Sequence, residues 1–496
     1  MTYDATIPLR LVLHRAEELA RRCDKPVLLV YVIDPRYFET SPFGVPRTGA
    51  FRAQFLLESL VDLKKNLKDL QSDLLPRSGR AEEVFPELLP RGSVLITQQE
   101  VTRDELRVDD ALRRNLEEQG VSWEYCWGLT LFHKEDLPFQ GDLSNMPDVF
   151  TPFKNAVAPE LKCACNQIPA PYSEEIKKTE TGLRIRPCFP APARGALPLP
   201  KSIEFGDLPT ALDLPCETSR AVAGWPGGEG AALRRLEDYM AGPIETYAET
   251  KNNMLDPFAS TKLAPWLSNG CLSVRRVFEA LRRVESTRGA SASTYWLTFA
   301  LLVRDFFRFM ACKHGSKIFL EGGLNGKRIQ WTGGDHEFRL WSTGQTGYPL
   351  VDANMRELRS TGWMSNRGRQ NVASFLVLDL HVDWRRGADW FESYLLDYDV
   401  ASNWTNWVFA AGLNGRVNRF NVVKQSKQYD PDGDYLRHWL PELQHLSIDH
   451  IHEPWRSTEA LNYPAPCVAP ERFAERKVSH NGHGRAGCRS GAIGED

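Results

Sequence analysis

Apolar positions in the first 150 residues switch repeatedly between two periods. Residues 9–22 space their apolar side chains three and four apart, the stripe of an amphipathic helix, whereas residues 26–33 (Pro-Val-Leu-Leu-Val-Tyr-Val-Ile) form an unbroken apolar run of strand length. Residues 51–70 return to helical spacing. A strand at 93–97, a helix over 104–119 and a strand at 121–126 follow. This alternation predicts an α/β domain with a doubly wound parallel sheet over residues 1–150. Pro and Gly then dominate, and the region 151–230 reads as a long surface connector. From 231 to about 470 the stripes are helical throughout, predicting an all-α domain. Residues 471–496 are polar and Gly-rich and predict a disordered tail. No internal repeat is evident.

Composition narrows the class. With 42% hydrophobic and 25% charged residues, the 496-residue chain is globular, with length for two or three domains. No run approaches the roughly 20 apolar residues of a bilayer-crossing helix, so no membrane partner is expected. The net charge of -3 confines any nucleic-acid surface to a local patch. Of ten cysteines, only Cys163 and Cys165 stand close together. Reduced thiols and an intracellular location are expected, and no metal centre. Asp449-His-Ile-His-Glu453 offers alternating histidines rather than the i, i+4 pair of a helical metal site. Gly322-Gly-Leu-Asn-Gly-Lys-Arg328 is too short for a phosphate loop and reads as a turn. Twelve of the fourteen tryptophans lie at or beyond Trp225. They predict either an aromatic-heavy core, which composition favours, or a site for a planar cofactor.

Three segments carry candidate chemistry. Tyr247-Ala-Glu-Thr-Lys251 with Ser260-Thr-Lys-Leu263 places hydroxyls and lysines before a helical stripe, where phosphates can bind. Taken alone, a helix N-cap explains the hydroxyls better. Asn366-Arg-Gly-Arg369 could clamp an anion or a base edge, or equally form a solvated helix face. Asp397-Tyr-Asp399 precedes Asn403 and Trp407, and spacings of four put Asp399, Asn403 and Trp407 on one helix face.

In this order the segments resemble the photolyase/cryptochrome family, and within it the DASH cryptochromes. The resemblance runs from about Arg22 to Pro470. It is carried by Thr48-Gly-Ala-Phe-Arg-Ala-Gln-Phe-Leu-Leu-Glu58, Asp148-Val-Phe-Thr-Pro-Phe153, Asp352-Ala-Asn-Met-Arg-Glu-Leu358, Ser365-Asn-Arg-Gly-Arg-Gln-Asn-Val-Ala-Ser-Phe375 and Asp397-Tyr-Asp-Val-Ala-Ser-Asn403. It implies FAD in the helical domain. Tyr247, Ser260, Thr261, Lys262 and Leu263 would line its phosphate and ribityl side, with Trp296, Arg304, Asn366, Arg369, Asp397 and Asp399 around the remainder. Asn403 would stand near flavin N5, where an amide can donate or accept. Trp331, Trp384 and Trp407 match the indoles that carry an electron to photoexcited flavin, with core packing as the alternative for Trp331.

The implied activity is light-driven splitting of cyclobutane pyrimidine dimers, preferring single-stranded DNA, where base flipping costs least. RNA and double-stranded DNA would be weaker ligands, and a monomer is expected. Lys251, Asn366, Arg367 and Gln425 fall at DNA-contact positions. Residues 356–428 hold ten Lys/Arg against seven Asp/Glu, which suits phosphate contact.

The chain also departs from that pattern. Ala300 stands where relatives place a Glu that bonds the flipped base, and Val303 where they place a Trp that stacks on it. Residues 296, 300, 303 and 307 share one helical stripe, so both changes fall on one face. A second expectation therefore stands beside repair: a blue-light photoreceptor or regulatory nucleic-acid binder with little repair. Ala264 replaces a serine near the FAD phosphates. Ala158 replaces a Glu that holds the folate antenna, which counts against 5,10-methenyltetrahydrofolate as a second cofactor. Relatives open with a strand that this chain lacks. The sheet is therefore expected without its central first strand and with exposed edges, a truncated gene model being the leading explanation.

Overall fold

The protein is described by a computed structural model covering residues 9–158, 185, 186, 188–209 and 225–473. The pair Cys163 and Cys165, most of the predicted tail and much of the predicted connector lie outside the described residues. The N-terminal elements are α1 (Leu9–Cys23), β1 (Leu29–Ile33), α2 (Ala50–Asp69), β2 (Leu74–Ser78), α3 (Ala81–Leu88), β3 (Val94–Gln98), α4 (Arg103–Glu118), β4 (Ser122–Cys126) and α5 (Phe150–Val157). Strands and helices alternate as the apolar pattern predicts. β2 and α3 were not anticipated, because Pro76 and Pro86 interrupt their patterns. α5 lies inside the stretch assigned to the connector, and its Phe150, Phe153 and Val157 are buried.

Pairing is parallel: Leu29 registers with Leu74 in one sheet and Val94 with Ser122 in the other. The strands thus form two pairs, β1–β2 and β3–β4, rather than one continuous sheet. Among the described residues no pairing joins β1 to β3, the gap where the resemblance put a central strand. Helices nevertheless cover both faces. Leu13, Tyr31, Leu60 and Leu67 cluster on one face, and Val32, Phe85, Leu95 and Leu112 on the other. β1, covered on both faces, reads as a continuous apolar run, whereas β4 (Ser-Trp-Glu-Tyr-Cys) alternates and is only partly covered.

The C-terminal half is helical: α6 (Glu229–Ala241), α7 (Tyr247–Thr250), α8 (Ala264–Ser268), α9 (Val274–Arg288), α10 (Ala292–His314), α11 (Asp335–Thr343), α12 (Pro349–Thr361), α13 (Asn366–Ser374), α14 (Trp384–Tyr394), α15 (Val400–Ala410) and α16 (Val422–Tyr429), then two shorter helices. Their limits are written in side chains. Ser291 and Thr294 close a capping box at the start of α10, and Gly315 ends it. Ser365, Asp383, Asp399 and Asn421 cap α13, α14, α15 and α16. Phe473, assigned by the sequence to a disordered tail, is buried against Tyr348 and Phe375. No described helix is long and apolar enough to cross a membrane.

The two halves meet through hydrogen bonds as well as apolar contact. The Asp305 carboxylate of α10 accepts from Leu131 N at 2.9 Å and Phe132 N at 3.0 Å. Burial pushes this carboxyl up to about 7, against the pull of those two amides.

Candidate functional site

α14 and α15 pack face to face at the centre of the site. Asp399 caps α15 by accepting from Ser402 N at 2.7 Å, and one turn later Asn403 donates from Nδ2 to Ala388 O at 2.9 Å. That bond fixes the amide plane and leaves Oδ1 as its acceptor. Trp407, a further turn along, is 2% exposed. Gly387 makes its position possible: a Cβ there would penetrate the Trp407 ring and lie 2.7 Å from Leu376 Cδ2. Gly387→Ala is expected to cost about 1–3 kcal/mol by overpacking. Thermal denaturation checks it, and an unchanged midpoint would contradict the packing described.

The anion-handling groups sit around this pair of helices. Arg369 Nη2 lies 2.9 Å from each Asp397 carboxylate oxygen, and its Nε donates to Met364 O at 2.9 Å. The Arg304 guanidinium donates to the carbonyls of Leu129 and Leu267, bridging the halves beneath α10. The loop before α8 is shaped by Lys262, whose φ of 49° lies in the left-handed region. It is also tied down by Arg235, which donates to Thr261 O at 2.9 Å and Ser260 O at 3.1 Å. The hydroxyls of Ser260 and Thr261 do not cap α8, whose first turn has no side-chain cap, so the N-cap alternative fails. Leu263 is buried, and burial lowers the Lys262 ammonium and pushes the Tyr247 phenol up to about 12.

A rim of basic and amide groups borders the loop. Lys251 Nζ stands 3.1 Å above the centroid of the Trp296 ring. Arg367 donates to Gln425 Oε1 at 3.2 Å and Asn252 Oδ1 at 3.3 Å, and lies over Tyr429 at 4.2 Å. Asn366, the first residue of α13, is exposed. The structure thus gathers Lys251, Arg367 and Gln425 on one rim. Asn252 and Tyr429 belong to it as well, although nothing in their local sequence marks them. On α10, Ala300 is exposed and Val303 half-buried, along the stripe that begins at Trp296.

The three predicted indoles occupy different settings. Trp384 is fully buried, donates to Glu321 O at 3.1 Å, and meets Trp404 edge-on at 5.8 Å. Trp407 instead meets Phe391 at 5.1 Å and Trp341 at 6.2 Å. Trp331 lies in a coil, half-buried, and its Nε1 has no hydrogen-bond partner among the described residues. Trp341 and Trp404 were not anticipated, being indistinguishable in sequence from core indoles. The two histidines of the 449–453 run diverge: His452 is buried against Ser426 and His450 bonds Ser447.

The donor set suits a large polar cofactor. Tyr239 OH, beside Tyr247, and Gln370 Oε1, next to Arg369 in sequence, are buried without partners among the described residues. A ligand would satisfy them. Known proteins agree. Residues 9–173 match the DNA photolyase domain and residues 296–487 the FAD-binding domain of DNA photolyase. The fold and site are therefore those of a photolyase-type flavoprotein. A DASH cryptochrome of Ostreococcus tauri is 44% identical, covering 95% of this chain and 90% of its own length. That of Synechocystis is 42% identical over 96% of both. The crystal structure of the Synechocystis cryptochrome superposes with a TM-score of 0.82 at 41% identity, covering 93% of this chain and 94% of its own. A class III photolyase of Agrobacterium tumefaciens gives 0.73 at 26%, covering 95% and 94%. The chain belongs to the DASH cryptochromes of the photolyase/cryptochrome family, and its helical half is an FAD-binding domain.

Proposed function

We propose that this protein repairs cyclobutane pyrimidine dimers in single-stranded DNA under blue light. The observation that carries the reading is the convergence of Lys251, Arg367 and Gln425 on one rim beside the flavin-side residues. Bound and reduced, FAD would supply light-driven electron-transfer chemistry at this site. Tyr247 and the Ser260–Leu263 loop would hold its polar side, and Arg304, Arg369, Asp397 and Asp399 would surround the remainder. The amide of Asn403, fixed by Ala388 O, would present Oδ1 to a proton on the ring. Trp331, Trp384 and Trp407 would carry electrons inward, with Trp404 beside Trp384 and Trp341 beside Trp407. Cationic rim groups would take up phosphates, and the stripe at 300 and 303, with its small side chains, would face an extruded pair of adjacent pyrimidines. A 5,10-methenyltetrahydrofolate antenna is not part of this reading, since Ala158 is buried and offers no carboxylate.

A second reading, a photoreceptor or regulatory nucleic-acid binder, is favoured by one observation. Neither Ala300 nor Val303 can bond or stack on a base. The experiment that separates binding from its absence is titration with a dimer-containing single-stranded oligonucleotide against its undamaged counterpart. Tighter binding of the damaged strand is expected, and equal affinity would overturn the repair reading.

The rim adds a pH signature. Burial, then the nearby Arg367, lowers the Lys251 ammonium from 10.5 to about 8. The unfolded chain keeps this proton up to about 10.5, so this group makes folding stability rise with pH between about 8 and 10.5. Affinity for DNA should move the opposite way, falling as pH rises through 8 and the Lys251 ammonium loses the charge that attracts phosphate. Lys251→Met is expected to flatten that dependence and reduce the salt slope by about 1. A pH profile identical to the unaltered protein would remove Lys251 from the interface.

A further inference from the structure

α10 carries a second arginine one turn beyond Arg304. Arg308 is 3% exposed and lies between two carboxylates from different halves of the chain. Its Nη2 donates to Glu100 Oε2 at 2.9 Å and Gln99 O at 3.3 Å, while Nη1 stands 3.9 Å from Asp399 Oδ2. Glu100 follows β3 in the α/β domain and is itself buried. Asp399 uses Oδ1 to cap α15, so its other oxygen is the one facing Arg308. Asn403 N bonds Asp399 O at 2.8 Å. A continuous line of contacts therefore leads from Glu100 through Arg308 and Asp399 to Asn403.

Stability alone does not account for this arrangement. Buried ion groups seldom outperform apolar side chains of similar volume. Here Glu100 Oε1 and Arg308 Nε are buried without hydrogen-bond partners among the described residues. Burial raises the Glu100 carboxyl while Arg308 pulls it down. Two acids share one guanidinium, so the charge Arg308 presents to Asp399 depends on what Glu100 takes up. Arg304 adds positive field on the same side, but its hydrogen bonds go to backbone carbonyls.

We propose that Glu100 and Arg308 are positioning residues that tune the flavin's reduction potential from across the domain interface, acting through Asp399. The proposal rests on the reading that Asp399 and Asn403 adjoin the flavin. With Glu100 neutral, Arg308 is uncompensated on that side and favours the reduced, more negative flavin. With Arg308 absent, Asp399 is uncompensated and disfavours it. The two changes act with opposite sign, which a purely structural role would not produce.

The test is spectroelectrochemical titration of the FAD-loaded protein, with FAD content measured first, for the unaltered chain, Glu100→Gln, Arg308→Met, Arg308→Lys and the double variant. Expected are a midpoint raised by Glu100→Gln, lowered by Arg308→Met and returned near the original by Arg308→Lys. The double variant should fall between Arg308→Met and the unaltered chain, since it removes one charge of each sign. Where Arg308→Met yields no soluble protein, the sign for the near-isosteric Glu100→Gln decides. An unmoved or lowered midpoint in Glu100→Gln overturns the proposal, as do shifts of one sign accompanied by FAD loss. An unaltered chain without FAD would overturn the flavin site itself, and this inference with it.

Discussion

Ala300→Glu combined with Val303→Trp should raise the yield of dimer repair per absorbed photon and tighten binding of damaged single strands. Both positions lie on the outer stripe of α10, continuing from Trp296, and Ala300 is exposed. A glutamate there replaces a methyl group without displacing core, so folding should be little affected. A tryptophan at 303 would add an aromatic platform worth about 1–3 kcal/mol per stacked base, or roughly 5- to 100-fold in affinity. A glutamate within reach of the flipped base would supply a hydrogen bond strengthened by exclusion of water. The measurement compares repair and binding for both single variants and the double. Gains confined to binding would assign position 303 to docking alone. No gain in either would show that the stripe does not face the lesion.

The second large effect concerns the ion pair below the flavin-side helices. The Asp397 side chain is 5% exposed, and Arg369 is its hydrogen-bonded cation. Arg369→Ala leaves that carboxylate buried and uncompensated, a change expected to cost about 3–5 kcal/mol. Against a total stability of about 5–15 kcal/mol, the site should loosen and FAD content collapse. Arg369→Lys should recover part of this. A single nitrogen, Nη2, makes both carboxylate contacts, and an ammonium can replace it, but the Nε bond to Met364 O is lost. Flavin absorbance per protein in the purified variants checks the order. Equal loading of all three would mean that the pair does not support the cofactor.

Much of the fold was legible because its signals are local. The helix carrying Asn403 and Trp407 follows from spacings of four, and its start is the cap supplied by Asp399. β1 and β3 follow from short apolar runs, and β4 from the alternation of Val121, Trp123 and Tyr125. What escaped was broken by proline or set by distant partners. β2 holds Pro76 and α3 holds Pro86, each within a segment too short for its period to emerge. Arg367 and Arg369 look alike in sequence, yet one turns to Asn252 and Gln425 and the other to Asp397. Glu100 and Arg308 lie 208 residues apart, so no local pattern links them. The Ser260–Leu263 loop shows the converse. Its hydroxyls suggested a cap by position alone, whereas Arg235 holds its backbone.

The separation of the sheet into β1–β2 and β3–β4 has a plain physical meaning. Parallel strands whose edges lack a neighbour leave backbone groups unpaired, and Val94 at the start of β3 is 41% exposed. The core that joins the helical half to Phe55, Trp127 and α5 of the N-terminal half contains none of the strand residues. The cofactor is accordingly assigned to α10, α13, α14 and α15.

The most direct measurement is dimer content in a single-stranded oligonucleotide carrying pyrimidine dimers, incubated with the FAD-loaded, chemically reduced protein under blue light and in the dark. The account predicts loss of dimers in the light alone, faster than for the same lesion in a duplex. Dimers that persist in the light, with FAD content and strand binding both verified, would contradict it and establish the protein as a nucleic-acid-binding photoreceptor.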